Sequence, residues 1–173
     1  MRVISGKYKG KKLKGFDING TRPTMNRVKE SLFGMLSPFL KGSECLDLFA
    51  GVGALGIEAI SNGARSITFV DNNIRVINTL KENTKNMDDD IHIILSDYKK
   101  YIKTCNKKFD IIFLDPPYDR CLITKAINYI IEYDIISAGG IIVCEYENEE
   151  IKCNLNMIKE KSYGNKHIKI FQK

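Results

Sequence analysis

The chain has 173 residues and a mass of 19.7 kDa, enough for one domain with its own core. Hydrophobic residues make up 43% of the sequence and charged residues 28%, which excludes a disordered or fibrous protein. No window approaches the roughly 18 apolar residues that a membrane span needs. The 5 cysteines lack zinc-like spacing and favour reduced thiols. We therefore expect a cytoplasmic monomer without a membrane partner or a bound metal.

The net charge of +6 is unevenly distributed along the chain. Residues 1–41 carry +8, residues 42–150 carry −7 and residues 151–173 carry +5. Basic ends around an acidic body favour a nucleic-acid partner, although lysine-rich termini can also serve solubility alone. We therefore expect a basic extension at 1–41 and a main domain at 42–173.

The N-terminal segment predicts a short hairpin followed by one helix. Residues 2–5 and 12–14 are typical of two short strands joined by a glycine-containing turn. Residues 21–24 predict a loop, because a proline disfavours helix at the residue before it. The apolar spacing predicts a helix over 26–36, which we expect to end before Pro38.

From residue 44 onward, strand and helix patterns alternate along the chain, which favours a doubly wound α/β sheet. The expected strands are 44–49, 66–71, 91–95, 109–115 and 140–146. The expected helices between them are 55–62, 73–86, 98–104 and 121–133. Most of these strands are continuous apolar runs, as in a mostly parallel, Rossmann-like sheet covered on both faces. Residues 155–161 and 166–172 predict a closing hairpin, which gives a seven-stranded sheet whose last strand is antiparallel.

A glycine-rich loop follows the first strand of this sheet. Gly51, Gly53 and Gly56 have the G-x-G-x-x-G spacing and open a helix, and Asp71 lies 20 residues after Gly51. The pattern is typical of a site for an adenosine-containing ligand, whose ribose hydroxyls a carboxylate at position 71 can bind. A tight strand–helix turn with a solvated aspartate is the alternative interpretation.

Asp47 bears on which adenosine ligand is bound. It lies just before the glycine loop, where a carboxylate would repel the pyrophosphate of a dinucleotide but would suit an ammonium and a sulfonium. We therefore expect S-adenosylmethionine, with S-adenosylhomocysteine as its product, rather than a nicotinamide cofactor. The competing role of Asp47 is to cap local backbone amides. After the third strand, Asp97 either binds the adenine amine or caps the next helix.

The sequence Asp-Pro-Pro-Tyr at 115–118 follows the fourth strand, at the edge where open α/β sheets bind ligands. Its two prolines stiffen the turn and leave carbonyl groups as acceptors. Asp115 and the Pro116 carbonyl can accept hydrogen bonds from an exocyclic amine, while Tyr118 stacks on the base. Positioning of this kind suits methyl transfer to the amine and needs no nucleophilic side chain. The alternative is a stiff turn with a surface tyrosine.

These motifs resemble those of class I S-adenosylmethionine-dependent methyltransferases, and within them the bacterial 16S ribosomal RNA guanine-N2 methyltransferase family named for guanine 966. The resemblance covers nearly the whole chain. Residues 2–13 are similar to the basic opening hairpin of that family, and residues 22–24 with 27–33 to its helix-opening motif. Residues 47–51 and 115–118 are similar to its cofactor loop and its amine-methylating motif.

The motifs and the resemblance together assign roles to individual residues. We expect the cofactor to be held by Asp47, Phe49, Gly51, Gly53, Asp71, Asn72 and Asp97. We expect the target amine to be positioned by Asp115, Pro116, Pro117 and Tyr118. We expect RNA phosphates to be bound by Lys7, Lys9, Lys11, Lys12, Arg22, Thr24 and Arg27. The substrate that the resemblance implies is a guanine of ribosomal RNA, either free or in a small-subunit particle.

Other functions are open at this point. Asp-Pro-Pro-Tyr is shared with N6-adenine methyltransferases, so the motif alone predicts an exocyclic amine and not the base. A separate domain for recognising a DNA target does not fit in 173 residues. A nicotinamide-dependent oxidoreductase is disfavoured by Asp47, and a non-catalytic RNA-binding module is disfavoured by Asp115 and Tyr118.

Overall fold

A computed structural model of the chain describes residues 1–15, 22–117 and 121–173, with the backbone alone at 22–25. The helices are α1 (Arg22–Leu40), α2 (Ala54–Ser61), α3 (Ile74–Thr84), α4 (Tyr98–Thr104) and α5 (Leu122–Glu132). The strands are β1 (Glu44–Asp47), β2 (Ser66–Asp71), β3 (Asp90–Leu95), β4 (Phe109–Leu114), β5 (Ile136–Tyr146), β6 (Asn156–Tyr163) and β7 (Lys166–Gln172). Within these ranges, no helix combines the length and apolar character that crossing a membrane requires.

The strands form one seven-stranded sheet in the order β3-β2-β1-β4-β5-β7-β6. Strands β1 to β5 run parallel, and β7 runs antiparallel to both of its neighbours. The predicted doubly wound sheet with an antiparallel last strand is therefore confirmed. The strand order reverses between β1 and β4, so the carboxyl ends of these two strands flank the crevice where open α/β sheets bind ligands.

Two hydrophobic cores cover the two faces of the sheet. Alternate residues of a strand point to opposite faces. In β4, Ile111 and Phe113 therefore pack on the side of α1, α2 and α3, and Ile112 and Leu114 on the side of α4 and α5. Strand β3 differs from the other parallel strands, because it lies at the edge of the sheet and its side chains are exposed or half-buried.

Helix α1 is longer than the sequence predicted at both ends. It begins at Arg22 and holds Pro23 in its first turn, where a missing N–H breaks no helical hydrogen bond. The predicted loop is therefore wrong from residue 22 onward, and residue 21 lies outside the described residues. The helix also continues through Pro38 to Leu40, because Leu36 and Leu40 lie one turn apart and are both buried in the core.

The first 15 residues pack on the same face of the sheet as α1. Arg2 and Lys12 form an antiparallel bridge, and Val3 and Leu13 are buried in the core that α1 and α2 share. The predicted extension and the sheet therefore contribute to one core. The predicted boundary at residue 41 stays a prediction about which part of the chain binds RNA.

Candidate functional site

A cavity of about 720 Å³ lies at the carboxyl ends of β1 to β4, within the size range of small-molecule pockets, about 300–1,000 Å³. Its walls include most of the residues that the sequence assigned to the cofactor and to the target amine. These are Asp47, Phe49, Gly51, Asp71, Asn72, Asp97, Asp115, Pro116 and Pro117. Tyr118 lies outside the described residues, so its stacking role stays a prediction. Two predicted sites, the glycine loop and the Asp-Pro-Pro turn, thus share one cavity.

Asp71 connects the glycine loop to the end of β2. Its Oδ2 accepts a hydrogen bond from the Gly51 amide at 3.0 Å, and its Oδ1 accepts one from the Asn73 amide at 2.8 Å. Each carboxylate oxygen can accept a second hydrogen bond. Asp71 is half-buried in the cavity wall, so it can fix the loop and still accept hydrogen bonds from ribose hydroxyls.

Gly53 has a structural role at the start of α2. Its φ of 89° is in the left-handed region, and a Cβ there would lie 2.4 Å from the Leu80 side chain. Only glycine fits this position without displacing its neighbours. Gly53 is absent from the cavity wall, so the structure does not bring it together with the other residues predicted to bind the cofactor.

Asp47 is almost fully buried at the end of β1, with 2% of its surface exposed. Burial raises the pKa of its carboxyl from 3.8 to about 7; the nearby charge of Asp71 adds to the rise and a hydrogen bond from the Gly56 amide opposes it. That bond, at 3.1 Å, is the amide capping considered as the competing role. A buried carboxylate with one amide partner is stabilised by an arriving cation, so this position fits an ammonium or a sulfonium.

Asp97 and Tyr98 form the wall after β3. Asp97 caps α4, since its Oδ1 accepts hydrogen bonds from the amides of Lys99 at 2.9 Å and Lys100 at 3.3 Å. Its predicted contact with adenine stays a prediction. The hydroxyl of Tyr98 is buried and has no hydrogen-bond partner among the residues that the structure describes. A buried hydroxyl without a hydrogen-bond partner costs free energy. A polar ligand in the cavity can supply that partner.

Asp115 follows β4 at the opposite side of the crevice from Asp71. Burial raises the pKa of Asp115 well above its usual value, and the charges of Glu145 and Asp47 raise it further while Lys166 opposes them. A carboxyl group with a raised pKa beside a cleft is well suited to accept a proton from a reacting group.

The sequence interpretation missed Glu145 and Lys166, which lie next to Asp115. In the register of β4 and β5, Leu114 pairs with Cys144, so Asp115 and Glu145 follow side by side on neighbouring strands. A usable signal existed, because Glu145 directly follows a buried apolar run, as Asp115 does. Lys166 offered no local signal, since its position depends on the antiparallel pairing of β7 with β5.

The basic residues predicted to bind RNA lie in two places. The tip of the N-terminal hairpin is near the amino ends of the strands, where the Lys7 ammonium lies 3.1 Å from a carboxylate oxygen of Asp89. Arg27 is exposed on α1, next to residues that lie beside Asp115. The others on the hairpin are the exposed Lys9 and Lys12 and the half-buried Lys11. Arg22 and Thr24 belong to the first turn of α1, where the backbone alone is described.

Several known proteins are similar to this chain over nearly its full length. YlbH of Bacillus subtilis, provisionally named an rRNA methyltransferase, is 38% identical over 182 residues, which cover 100% of this chain and 99% of YlbH. Ribosomal RNA small subunit methyltransferase D of Haemophilus influenzae is 34% identical over 180 residues, covering 99% of this chain and 93% of that protein. The solved structure of yhhF from Escherichia coli, provisionally described as a methyltransferase, has a TM-score of 0.89 and 30% identity, covering 100% of this chain and 97% of that chain.

Residues 1–172 also match the family described as conserved hypothetical protein 95. The matched range includes the N-terminal hairpin, the glycine loop and the Asp-Pro-Pro turn. The resemblance inferred from the motifs is confirmed by these findings. The chain belongs to the conserved hypothetical protein 95 family and is a homologue of ribosomal RNA small subunit methyltransferase D.

Proposed function

We propose that this protein transfers a methyl group from S-adenosylmethionine to the exocyclic N2 of a guanine in small-subunit ribosomal RNA. The observation that carries the proposal is the common cavity lined by Asp47 at the end of β1 and by Asp115 after β4. Homology to a small-subunit ribosomal RNA methyltransferase supports ribosomal RNA as the substrate and the cytoplasm as its location.

The cofactor is held by carboxylates that follow successive strands. Asp71 accepts hydrogen bonds from the ribose hydroxyls, Asp47 neutralises the ammonium of the amino-acid part, and Asp97 and Tyr98 face the adenine. S-adenosylmethionine, when bound, supplies a methyl group that its positive sulfonium has already activated. The protein therefore needs to supply binding, orientation and a place for one proton.

Asp115 and the Pro116 carbonyl orient the target amine. Hydrogen bonds from the two N–H groups of the amine to these acceptors leave the nitrogen lone pair directed at the methyl group. The new N–C bond would form as the methyl–sulfur bond breaks, with neutral S-adenosylhomocysteine as the leaving group. A carboxylate oxygen of Asp115 accepts the proton that the nitrogen then releases. The raised pKa of Asp115 favours this proton transfer.

The N-terminal extension holds the RNA. Residues 1–41 carry a net charge of +8, and their exposed lysines and Arg27 bind phosphates through charge. Because Lys7 is already paired with Asp89, the principal hairpin contacts are Lys9 and Lys12. The hairpin tip lies near the amino ends of the strands and Arg27 near their carboxyl ends, so these charges lie at opposite ends of the same face of the sheet. The RNA therefore contacts one whole side of the protein.

The decisive experiment is methyl transfer from labelled S-adenosylmethionine, followed by analysis of the modified nucleosides. Small-subunit particles, naked ribosomal RNA and DNA are compared as substrates. We expect N2-methylguanosine in ribosomal RNA, from particles or from naked RNA. N6-methyladenosine in its place would show that the base is wrong, and binding of NAD without binding of S-adenosylhomocysteine would refute the methyltransferase assignment.

A further inference from the structure

We propose that Glu145 and Lys166 read the Watson–Crick edge of the target base and thereby select guanine over adenine. The inference rests on the proposed function, and it addresses a choice that the Asp-Pro-Pro-Tyr motif leaves open. Both residues lie outside the motifs that the sequence singled out.

A second, smaller cavity of about 70 Å³ lies next to Asp115, between the sheet and α1. Glu145, Lys166 and Asp115 all line it, and Val28 and Lys29 form the side toward α1. Asp115 and Lys166 also line the large cavity, so the two spaces meet at these residues. A base whose amine reaches Asp115 from the large cavity can therefore place its neighbouring ring atoms beside Glu145 and Lys166.

Glu145 and Lys166 form an ion pair at the ends of two paired strands. Glu145 Oε1 accepts a hydrogen bond from the Lys166 ammonium at 2.5 Å, and their side chains are 11% and 24% exposed. Asp115, Glu145 and Lys166 lie at the same end of three neighbouring strands, β4, β5 and β7. Asp115, Glu145 and Lys166 therefore form a row of acceptor, acceptor and donor.

The polar groups of guanine match this row. Guanine presents the N2 amine, then the N1–H donor, then the O6 acceptor along its Watson–Crick edge. With the amine at Asp115, the N1–H can donate to Glu145 and O6 can accept from Lys166. A carboxylate can accept several hydrogen bonds and an ammonium has three to donate, so the ion pair between Glu145 and Lys166 is compatible with both contacts.

Adenine does not match the row. With its N6 amine at Asp115, the neighbouring ring atom is N1, which has a lone pair and no hydrogen. That lone pair would face the Glu145 carboxylate, and two acceptors without a proton between them repel each other. A site built to bind a substrate N–H rejects an analogue that lacks it, because the buried polar group of the protein is then left unpaired.

The test compares guanosine with 2,6-diaminopurine riboside at the target position of a ribosomal RNA fragment, once wild-type protein has identified that position. The analogue keeps the C2 amine, but its N1 carries no hydrogen and its C6 carries an amine in place of the oxygen. Wild-type protein should prefer guanosine in kcat/KM by roughly 5- to 150-fold, as expected for a paired base contact. Glu145→Gln should lower that preference at least tenfold or abolish it, because an amide can donate to the N1 of the analogue.

Glu150→Gln is the matched control, since the Glu150 side chain is 84% exposed and its ion-pair partner among the described residues is Lys152, whose side chain is 74% exposed. It should keep the wild-type preference. Lys166→Met is an independent variant that removes the donor to O6, and it should lower kcat/KM for guanosine more than for the analogue. Affinity for S-adenosylhomocysteine and the melting temperature identify a variant that has failed to fold.

The inference and the proposed function fail in different ways. Wild-type protein that methylates no guanosine in any ribosomal RNA substrate would refute the proposed function. Wild-type protein that methylates guanosine, together with folded Glu145 and Lys166 variants that retain the wild-type preference, would overturn the inference alone. If Glu145→Gln does not fold, the result for Lys166→Met decides.

Discussion

The ammonium of Lys29 lies 2.9 Å from the carboxylate of Glu58, and their side chains are 6% and 0% exposed. The same carboxylate accepts hydrogen bonds from the amides of Ile4 and Ser5, and Lys29 also donates to the Arg2 carbonyl at 3.1 Å. This network joins the N-terminal segment, α1 and α2. Because Lys29 also lines the small cavity beside Asp115, the network fixes one wall of the candidate site.

Removing one partner of this buried pair should destabilise the protein. Glu58→Ala leaves the Lys29 ammonium buried without its counter-charge, which typically costs about 3–5 kcal/mol of unfolding free energy. Urea denaturation monitored by circular dichroism measures the loss. Glu82→Ala is the control, since Glu82 pairs with Lys14 at an exposed site and its removal should change stability little. Equal effects of the two substitutions would contradict the structural role of Glu58.

Asp47 should lower the stability of the ligand-free protein at neutral pH. The pKa of its carboxyl is about 7 in the folded protein and near 3.8 when exposed, so the folded state binds more protons between these values. Its contribution to the unfolding free energy therefore falls as pH rises from 4 to 7. Asp47→Asn removes this dependence and should be more stable than wild type at pH 8, by on the order of 2–4 kcal/mol, with a smaller gain at pH 5.

Urea denaturation at the two pH values tests this sign, and calorimetry should show that Asp47→Asn weakens binding of S-adenosylhomocysteine. Asp134→Asn is the control, because the pKa of Asp134 is shifted in the opposite direction from that of Asp47. Hydrogen bonds from Lys108 and Lys173 lower the pKa of Asp134 to about 2, so that carboxylate stabilises the folded state above pH 4 and its loss should not raise stability. A gain for Asp47→Asn that is the same at both pH values would contradict the assigned effect of burial.

Asp115→Asn should separate chemistry from cofactor binding. The amide keeps the size of the side chain but cannot take up the proton of the amine, so kcat should fall about 10²- to 10⁴-fold. The wild-type rate should rise with pH through the raised pKa of Asp115, and the variant should lack that rise. Asp110→Asn, toward the other end of β4, should retain activity because its bond to the Glu44 amide is preserved. A fully active Asp115→Asn protein with unchanged pH dependence would refute the assigned role.

The two glycines of the loop should respond differently to alanine. Gly53→Ala places a Cβ 2.4 Å from Leu80 and 3.0 Å from Ile57 at a φ of 89°, so we expect a loss of about 2–4 kcal/mol in unfolding free energy. Gly51 has a φ of 52° with open space around the Cβ position, so alanine there should cost about 1 kcal/mol. Gly51 lines the cavity and Gly53 does not. For a given loss of stability, Gly51→Ala should therefore lose more cofactor affinity than Gly53→Ala. Thermal melting measures the stability and calorimetry measures the affinity.

Local signals predicted the elements that build the candidate site. The predicted bounds of β2 and α4 agree with the structure. The buried apolar run of β2 ends at Asp71, and the cap residue Asp97 precedes the first residue of α4. The pattern of a strand followed by a carboxylate also predicted that Asp47 and Asp115 lie together at the carboxyl ends of the strands. These features depend on residues that are close in sequence.

The elements that the sequence predicted poorly depend on distant contacts. Helix α1 extends past Pro38 because Leu40 is buried against the rest of the core, and the gain from that burial is invisible in the local sequence. The pairing of Lys29 with Glu58 joins residues 29 positions apart on different helices. Lys166 reaches Asp115 only because β7 turns back along β5.

The RNA-binding role of the hairpin should be visible in the salt dependence of RNA affinity. Lys9→Ala combined with Lys12→Ala removes two exposed charges, so the slope of log affinity against log salt should decrease in magnitude by about 1–2. Lys7→Ala should have a smaller effect, because the Lys7 ammonium is paired with Asp89. Fluorescence anisotropy with a labelled ribosomal RNA fragment at several salt concentrations measures the slope.

The control for this measurement is the pair Lys100→Ala and Lys125→Ala, which removes two exposed charges from α4 and α5 on the other side of the sheet. If the RNA binds the side formed by the hairpin and α1, this double variant should keep the wild-type slope. Equal decreases for the two double variants would mean that the net charge of the whole protein determines binding. The local charge of +8 in residues 1–41 would then have no specific role.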